Sequence, residues 1–394
     1  MKNPLCVAGG KQYNEQLLYF TSSSLSADDR YLFTISDQTG DFNIFVTDLL
    51  TGEQKQMTNN KDGYLKSYVY FDGKDHKGFG RASVSLDCKN KMIYYIQGND
   101  ICSADMDGNI RVIAHVPEDQ VTAFTHVSDD GTRLCVPTTD NRALEYKVED
   151  VNKYNVGYDI DKRVQDENLN SYLRVYDTLT GEMTLCERVN KAWITHVQFN
   201  PIDNNLIMYN HEWTSFDRGI RRMWLFNGKD HIRLRTENEE RSRKDGCVHE
   251  MWSSCGKYLI YHGSHQNGYP TIGRISIDTL DTIEIEIPQY STKYGHYTIS
   301  KDGLLVSDGY YSDENDSDKK GKFGEYISIQ YIDWEKHTIK WVPICKHSSS
   351  WKFQDEHPHP IFNHRGDKIY FTSDRSGKRG VYEAEVPAFL INES

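Results

Sequence analysis

A turn-and-strand motif recurs along the whole 394-residue chain. In each unit a polar turn carrying Asp or Gly leads into a short apolar strand. A second acidic or Thr-Gly turn then leads into another strand. Ala27-Asp28-Asp29-Arg30-Tyr31-Leu32-Phe33 opens the first unit, and Thr51-Gly52-Glu53 ends it. Ser128-Asp129-Asp130-Gly131 opens the third, and Gly366-Asp367-Lys368-Ile369-Tyr370-Phe371 the last. Seven such units fall near 26–58, 83–114, 125–186, 196–236, 249–286, 296–345 and 359–386. A spacing of roughly fifty residues suits four-stranded propeller blades. Helical periodicity is weak, and the chain holds 26 tyrosines, a residue suited to half-buried strands. The expected fold class is therefore all-β, a single seven-bladed β-propeller over 1–394. An open solenoid is the other architecture such a repeat permits, but seven units suit a closed ring.

The run Leu17-Leu18-Tyr19-Phe20 is expected to supply the strand that closes the ring against the last blade. Two polar segments interrupt the pattern. Residues 150–170 insert into unit three and 311–322 into unit six, and both read as solvated loops.

The formal net charge is −12, which argues against nucleic acid as a partner. An acidic ligand would need positive charge concentrated locally by Arg, Lys or a metal ion. No apolar run reaches membrane-spanning length, so no membrane partner is expected. The first residues carry no apolar signal segment. Eight cysteines are scattered with no Cys-x-x-Cys pair, which disfavours a thiolate zinc site and fits the cytoplasm. A monomer or a homodimer is expected.

The histidines are informative because of where they fall in the repeat. His249, His296 and His359 each lie seven residues before a turn glycine, Gly256, Gly303 and Gly366. His196 lies seven before Asp203 in the matching turn. Four consecutive units thus carry His at one equivalent position, where the first strand begins. First strands are the innermost of a propeller blade, so these imidazoles are expected to converge although they lie far apart in the chain. The last unit adds Gln354-Asp355-Glu356-His357-Pro358-His359-Pro360. Residues two apart on an extended chain face one way, so His357 and His359 can act together. With His296 they form a candidate three-nitrogen metal site, to which Gln354 can add an oxygen. Taken singly, each His could equally cap a turn or fill a core.

Arg222 presents a fork that fits a carboxylate. His211 and Glu212 could line a pocket or hydrogen-bond each other. No Gly-x-Ser-x-Gly, P-loop, His-Glu-x-x-His or kinase motif occurs.

These residues together resemble the oligogalacturonate lyases. Trp193-Ile194-Thr195-His196, His211-Glu212, Arg222-Met223-Trp224, Val248-His249-Glu250-Met251-Trp252 and His296 before Ser300-Lys301-Asp302-Gly303 occur in family order. So do Cys345-Lys346-His347-Ser348-Ser349-Ser350-Trp351, Gln354-x-x-His357-Pro358-His359-Pro360 and Phe371-Thr372-Ser373-Asp374. The likeness covers about residues 170–390; the family's His-Glu-Gly-Pro reads His211-Glu212-Trp213-Thr214 here. The resemblance implies a seven-bladed propeller with Mn²⁺ held by His296, Gln354, His357 and His359. It implies His249 as general base and Arg222 as an essential substrate-binding group; His196 and His211 are further candidates to bind substrate. The implied reaction is β-elimination of short oligogalacturonides, or of a related uronate oligosaccharide. A non-catalytic scaffold propeller of the TolB type is the alternative.

Overall fold

The structure, a computed structural model, describes residues 3–65, 78–144, 156–212, 222–235, 246–264, 270–287, 295–308 and 326–391. The fold is a seven-bladed β-propeller. Among the described residues its sheets are antiparallel except for a short parallel pair, Tyr64–Leu65 with Phe79–Gly80, in blade two.

By internal contacts the chain divides into two compact units. The first comprises Met1–Thr39, Phe45–Lys55 and Ser242–Ser394. It holds blades five, six and seven and most of blade one. The second comprises Gly40–Ile44 and Gln56–Arg241 and holds blades two to four.

In the first unit, blade five runs Gly246–Trp252, Tyr258–Ser264, Pro270–Ser276 and Thr282–Glu286. Blade six runs Tyr297–Ile299, Leu305–Ser307, Tyr326–Asp333 and Thr338–Lys346. Blade seven takes Ile361–Phe362, Lys368–Ser373 and Gly380–Glu385, and its fourth strand is Leu5–Gly9 from the other end of the chain. Leu5 pairs with Glu383 and Gly9 with Gly380. The closing strand is therefore not the apolar run at Leu17. Glu15–Leu17 is instead the innermost strand of blade one, paired with Tyr31–Thr39. The physical reason is burial. The closing strand sits at a sheet edge, exposed at Leu5 and Cys6 and half-buried from Val7 to Gly9, whereas Leu17, Leu18 and Phe20 are buried core.

Asp29 adds a polar tie to that closure. Its buried carboxylate accepts the backbone N–H groups of His364 at 2.7 Å and Arg365 at 3.0 Å. It also accepts the Asn363 amide at 3.1 Å. Apolar clusters join blade seven to blade one through Leu17, Phe20, Ile361 and Tyr370, and blade six to blade seven through Val306, Ile329, Ile369 and Phe371.

In the second unit, blade four consists of Val197–Phe199, Ile207–Asn210, Met223–Phe226 and His231–Arg233. Middle strands are buried on both faces, as Arg133–Asp140 in blade three shows, so they read as continuous apolar runs. Outer strands such as Met183–Asn190 are largely exposed and polar. The insertion in blade three contains a helix, Val156–Asp166, where only a loop was expected. Ile160 and Val164, one turn apart, are buried and supply the apolar face that a solvated loop would lack. The 311–322 segment lies outside the described residues.

Candidate active site

The first cluster lies in the first unit. The strand Gly246–Trp252 pairs regularly with Tyr258–Ser264 until Val248, opposite His262, and resumes at Met251, opposite Ile260. His249 and Glu250 thus oppose one residue, Tyr261. Such a bulge re-aims a side chain that regular pleating would send elsewhere. His249 takes a left-handed backbone, φ 57°. A non-glycine residue there costs of order 1–3 kcal/mol and marks a position that the surroundings over-determine. The His249 ring stands 4.5 Å from that of His296, centre to centre, and edge-on to Phe20 at 5.5 Å.

His296 precedes the first strand of blade six. Its ring lies 4.0 Å from His359 and 5.4 Å from His357. His296, His357 and His359 each offer one nitrogen, and the three lie within 4.8 Å of one another. The side chain of Gln354, on the short turn Gln354–Glu356, lies outside the described residues.

Asp308, fully buried, organises the set. Its Oδ1 accepts the His296 backbone N–H at 2.7 Å, and its Oδ2 stands 2.9 Å from His296 Nδ1. Oδ2 also accepts the backbone N–H of His359 at 3.0 Å, where His359 is itself left-handed at φ 45°. A carboxylate on Nδ1 fixes the tautomer, so His296 would hold a cation through Nε2.

The cluster fits a metal on its own evidence. His357 Nδ1 and His359 Nε2 are buried and have no hydrogen-bond partner among the described residues. Orphaned polar atoms are costly unless something unseen satisfies them. Burial pushes the pKa of both imidazoles down, that of His359 well down. Neutral imidazoles are the form a cation needs. Phe20, Tyr19 and Trp351 wall the rings: Phe20 stacks on His359 at 5.5 Å and Trp351 lies 4.4 Å from His357. Of the four in-register histidines expected to converge, His249, His296 and His359 lie together, whereas His196 lies in the second unit beside Glu212. The sequence reading missed Asp308, His262 and the aromatic walls. Their only signal is that they are polar or aromatic residues in strand or near-strand positions, which is unremarkable in a repeat.

The second cluster lies in the second unit, in blade four. His196 precedes its first strand and stacks on Phe124, ring centres 4.6 Å apart at 19°. Glu212 is the hub. Its Oε1 accepts from Arg222 Nη1 at 3.1 Å, and its Oε2 accepts from Thr195 at 2.6 Å and Asn210 at 2.8 Å. His196 Nδ1 lies 3.5 Å from the same oxygen. Burial would raise the Glu212 pKa, but Arg222 and His196 outweigh it and hold the carboxyl well below its ordinary range. His211 does not bond Glu212 through its ring among the described contacts. It packs against Trp224 and Tyr209, and burial lowers its pKa from 6.5 to about 4, so it is neutral at neutral pH.

Blade-borne imidazoles around one point, two of them with unanswered nitrogens and with a left-handed histidine against them, define a propeller with a candidate metal site. Comparison with known proteins gives the family. A family model described as oligogalacturonate lyase matches residues 15–390. The oligogalacturonate lyase of Dickeya dadantii (strain 3937) is 27% identical over 380 residues, which cover 94% of this chain and 89% of that protein. The crystal structure of an oligogalacturonate lyase from Vibrio parahaemolyticus superposes with a TM-score of 0.77 at 21% identity, over 98% of this chain and 93% of that one. An oligogalacturonate lyase in complex with manganese superposes with a TM-score of 0.75 at 20% identity, over 99% and 98%. The chain belongs to the oligogalacturonate lyase family and is an enzyme of the polysaccharide lyase class. That membership displaces the scaffold alternative.

Proposed function

We propose that this protein is a Mn²⁺-dependent lyase that cleaves short oligogalacturonides by β-elimination. The observation that carries the reading is the His296–His357–His359 cluster, with its orphaned buried nitrogens, directly against the strained His249. The solved manganese complex of a protein with the same fold supports the choice of ion.

The chemistry explains the parts. A proton alpha to a uronate carboxylate is weakly acidic, because its removal sets a second negative charge beside the first. A divalent cation held by His296, His357, His359 and Gln354 supplies Lewis-acid neutralisation of that charge when bound. Arg222 contributes a bidentate guanidinium to a substrate carboxylate, and Glu212 keeps that guanidinium rigid. His196 and His211 complete the substrate-binding set, His196 as a polar group and His211 as a neutral one. His249 Nε2 takes the C5 proton, for which an imidazole suits neutral pH. The electrons of the C5–H bond form the C4–C5 double bond, and the C4–O bond breaks without attack by water, its electron pair departing on the oxygen of the released sugar.

Digestion of di- and trigalacturonate by metal-stripped protein, with and without added Mn²⁺, tests the reading. Mass analysis should show unsaturated or keto-deoxy uronate released only with the ion. Turnover of a different uronate oligosaccharide alone would move the substrate assignment and leave the site. Equal turnover without the ion would sink the metal role.

A further inference from the structure

The His249 ring is held by a neighbour that belongs to neither cluster. His262 sits in the strand Tyr258–Ser264, opposite Val248, at the point where the bulge begins. Its Nε2 lies 2.7 Å from His249 Nδ1. The carbonyl oxygen of Gly295 lies 2.9 Å from that same nitrogen. A carbonyl can only accept, so His249 Nδ1 carries the hydrogen, and its Nε2 carries the lone pair that a base requires. His262 Nε2 then accepts the same hydrogen as the second arm of a three-centre bond.

The second arm matters because one carbonyl cannot fix a ring's rotation. Two acceptors on either side of one N–H hold both the tautomer and the ring plane. His262 is itself held, its ring 4.9 Å from that of Tyr297. A crevice of about 10 Å³ beside the pair is lined by Met251, Ile260, Ile272, Ile299 and Leu305 among others. That volume is at the lower limit for one water, so solvent is a poor substitute for the His262 nitrogen. The bulge and the left-handed backbone at His249 are the local distortions that bring Nδ1 to this pair of acceptors.

We infer that His262 is a positioning residue for the elimination: it holds His249 with Nδ1 protonated and Nε2 turned to the substrate. The inference rests on the reading of His249 as the base. In the step, the C5–H bond breaks and the proton goes to His249 Nε2. Nδ1 keeps its hydrogen, now on an imidazolium, and Gly295 and His262 both accept from it. His262 exchanges no proton and binds no substrate.

The test uses the full-length Mn²⁺-loaded protein, trigalacturonate, and the same substrate deuterated at C5. His262→Leu fills the space without an acceptor. His262→Gln restores an oxygen at similar reach. The expected result is a kcat about 10–100-fold lower in the leucine variant, the scale of lost support behind a working imidazole. KM and Mn²⁺ affinity stay unchanged, and the C5 isotope effect on kcat rises as proton transfer slows. The glutamine variant recovers most of the loss. Wild-type kcat in His262→Leu overturns the inference. So does a loss shared with Mn²⁺ affinity and thermal stability that His262→Gln does not rescue, since that marks a packing role. His249→Ala runs in parallel. Retained turnover there removes the base itself and this inference with it, whereas lost turnover beside an unaffected His262→Leu removes this inference alone.

Discussion

The imidazole cluster of blades five to seven and the polar cluster of blade four bury similar chemistry in opposite ways. In blade four the charges answer each other: Glu212 is met by Arg222, Thr195, Asn210 and His196. None of Glu212, Thr195, Asn210 and His196 has a positive φ. In the other cluster two imidazole nitrogens are left unanswered, and His249, Trp351 and His359 are all left-handed. A site that is internally neutral and relaxed holds one of its own groups still, here a guanidinium. A site that is strained and polar-deficient is waiting for something from outside. The difference separates a device for holding an arginine from one for receiving a cation.

Substitutions can break that contrast. The largest effect is expected at His357→Ala, which removes a nitrogen with no other partner. Mn²⁺ binding by calorimetry and lyase turnover should both vanish. His249→Ala should lower kcat by about 10²–10⁴-fold, the usual worth of a general base, while calorimetry finds Mn²⁺ affinity intact. A normal rate in that variant would reassign the base.

Glu212→Ala should act the other way, removing the buried carboxylate that faces the Arg222 guanidinium. Chemical denaturation should show a loss of about 3–5 kcal/mol, with Mn²⁺ affinity unchanged. Asp308→Asn should weaken Mn²⁺ binding about 10–100-fold, because the carboxylate that orients His296 and anchors His359 is gone. If Glu212→Ala lost metal, or Asp308→Asn left affinity intact, the division of labour drawn above would be wrong.

The smallest effect is a slope. The unfolded chain protonates His211 near 6.5, but the folded chain holds it neutral down to about 4. Between those values the unfolded state binds more protons, so stability rises with pH through that window and is lost as pH falls from 6.5 towards 4. His211→Phe should flatten this part of the stability–pH curve. An unchanged slope would show that His211 is not the buried neutral group it is taken to be.

Much of this was legible in the chain. Turn residues at a fixed spacing announced the blades, since each strand must end where Asp or Gly bends it. The seven-residue offset before Gly256, Gly303 and Gly366 picked out three of the imidazoles that meet. The closing strand was not legible, because Leu5–Gly9 is a short, half-buried edge whose partner Gly380–Glu385 lies at the other end of the chain. Phe20 was read as part of that closure and turned out to wall the imidazoles. The helix Val156–Asp166 was hidden by a polar composition, its buried face resting on few residues.

The sequence by itself determined the number of blades, the family and which histidines were candidates for a metal site, because these rest on spacing and residue type, which are properties of a string. Only the tertiary structure decided which atoms face which. It put Asp308 behind His296 and beneath His359, Glu212 on the Arg222 guanidinium, and His262 against His249. Those pairings depend on a bulge of one residue, on the direction of a side chain and on distances near 3 Å between strands remote in the chain, as in the 51-residue separation of Asp308 and His359. Hydrogen bonds fade within a fraction of an ångström, so no periodicity along the chain can encode them.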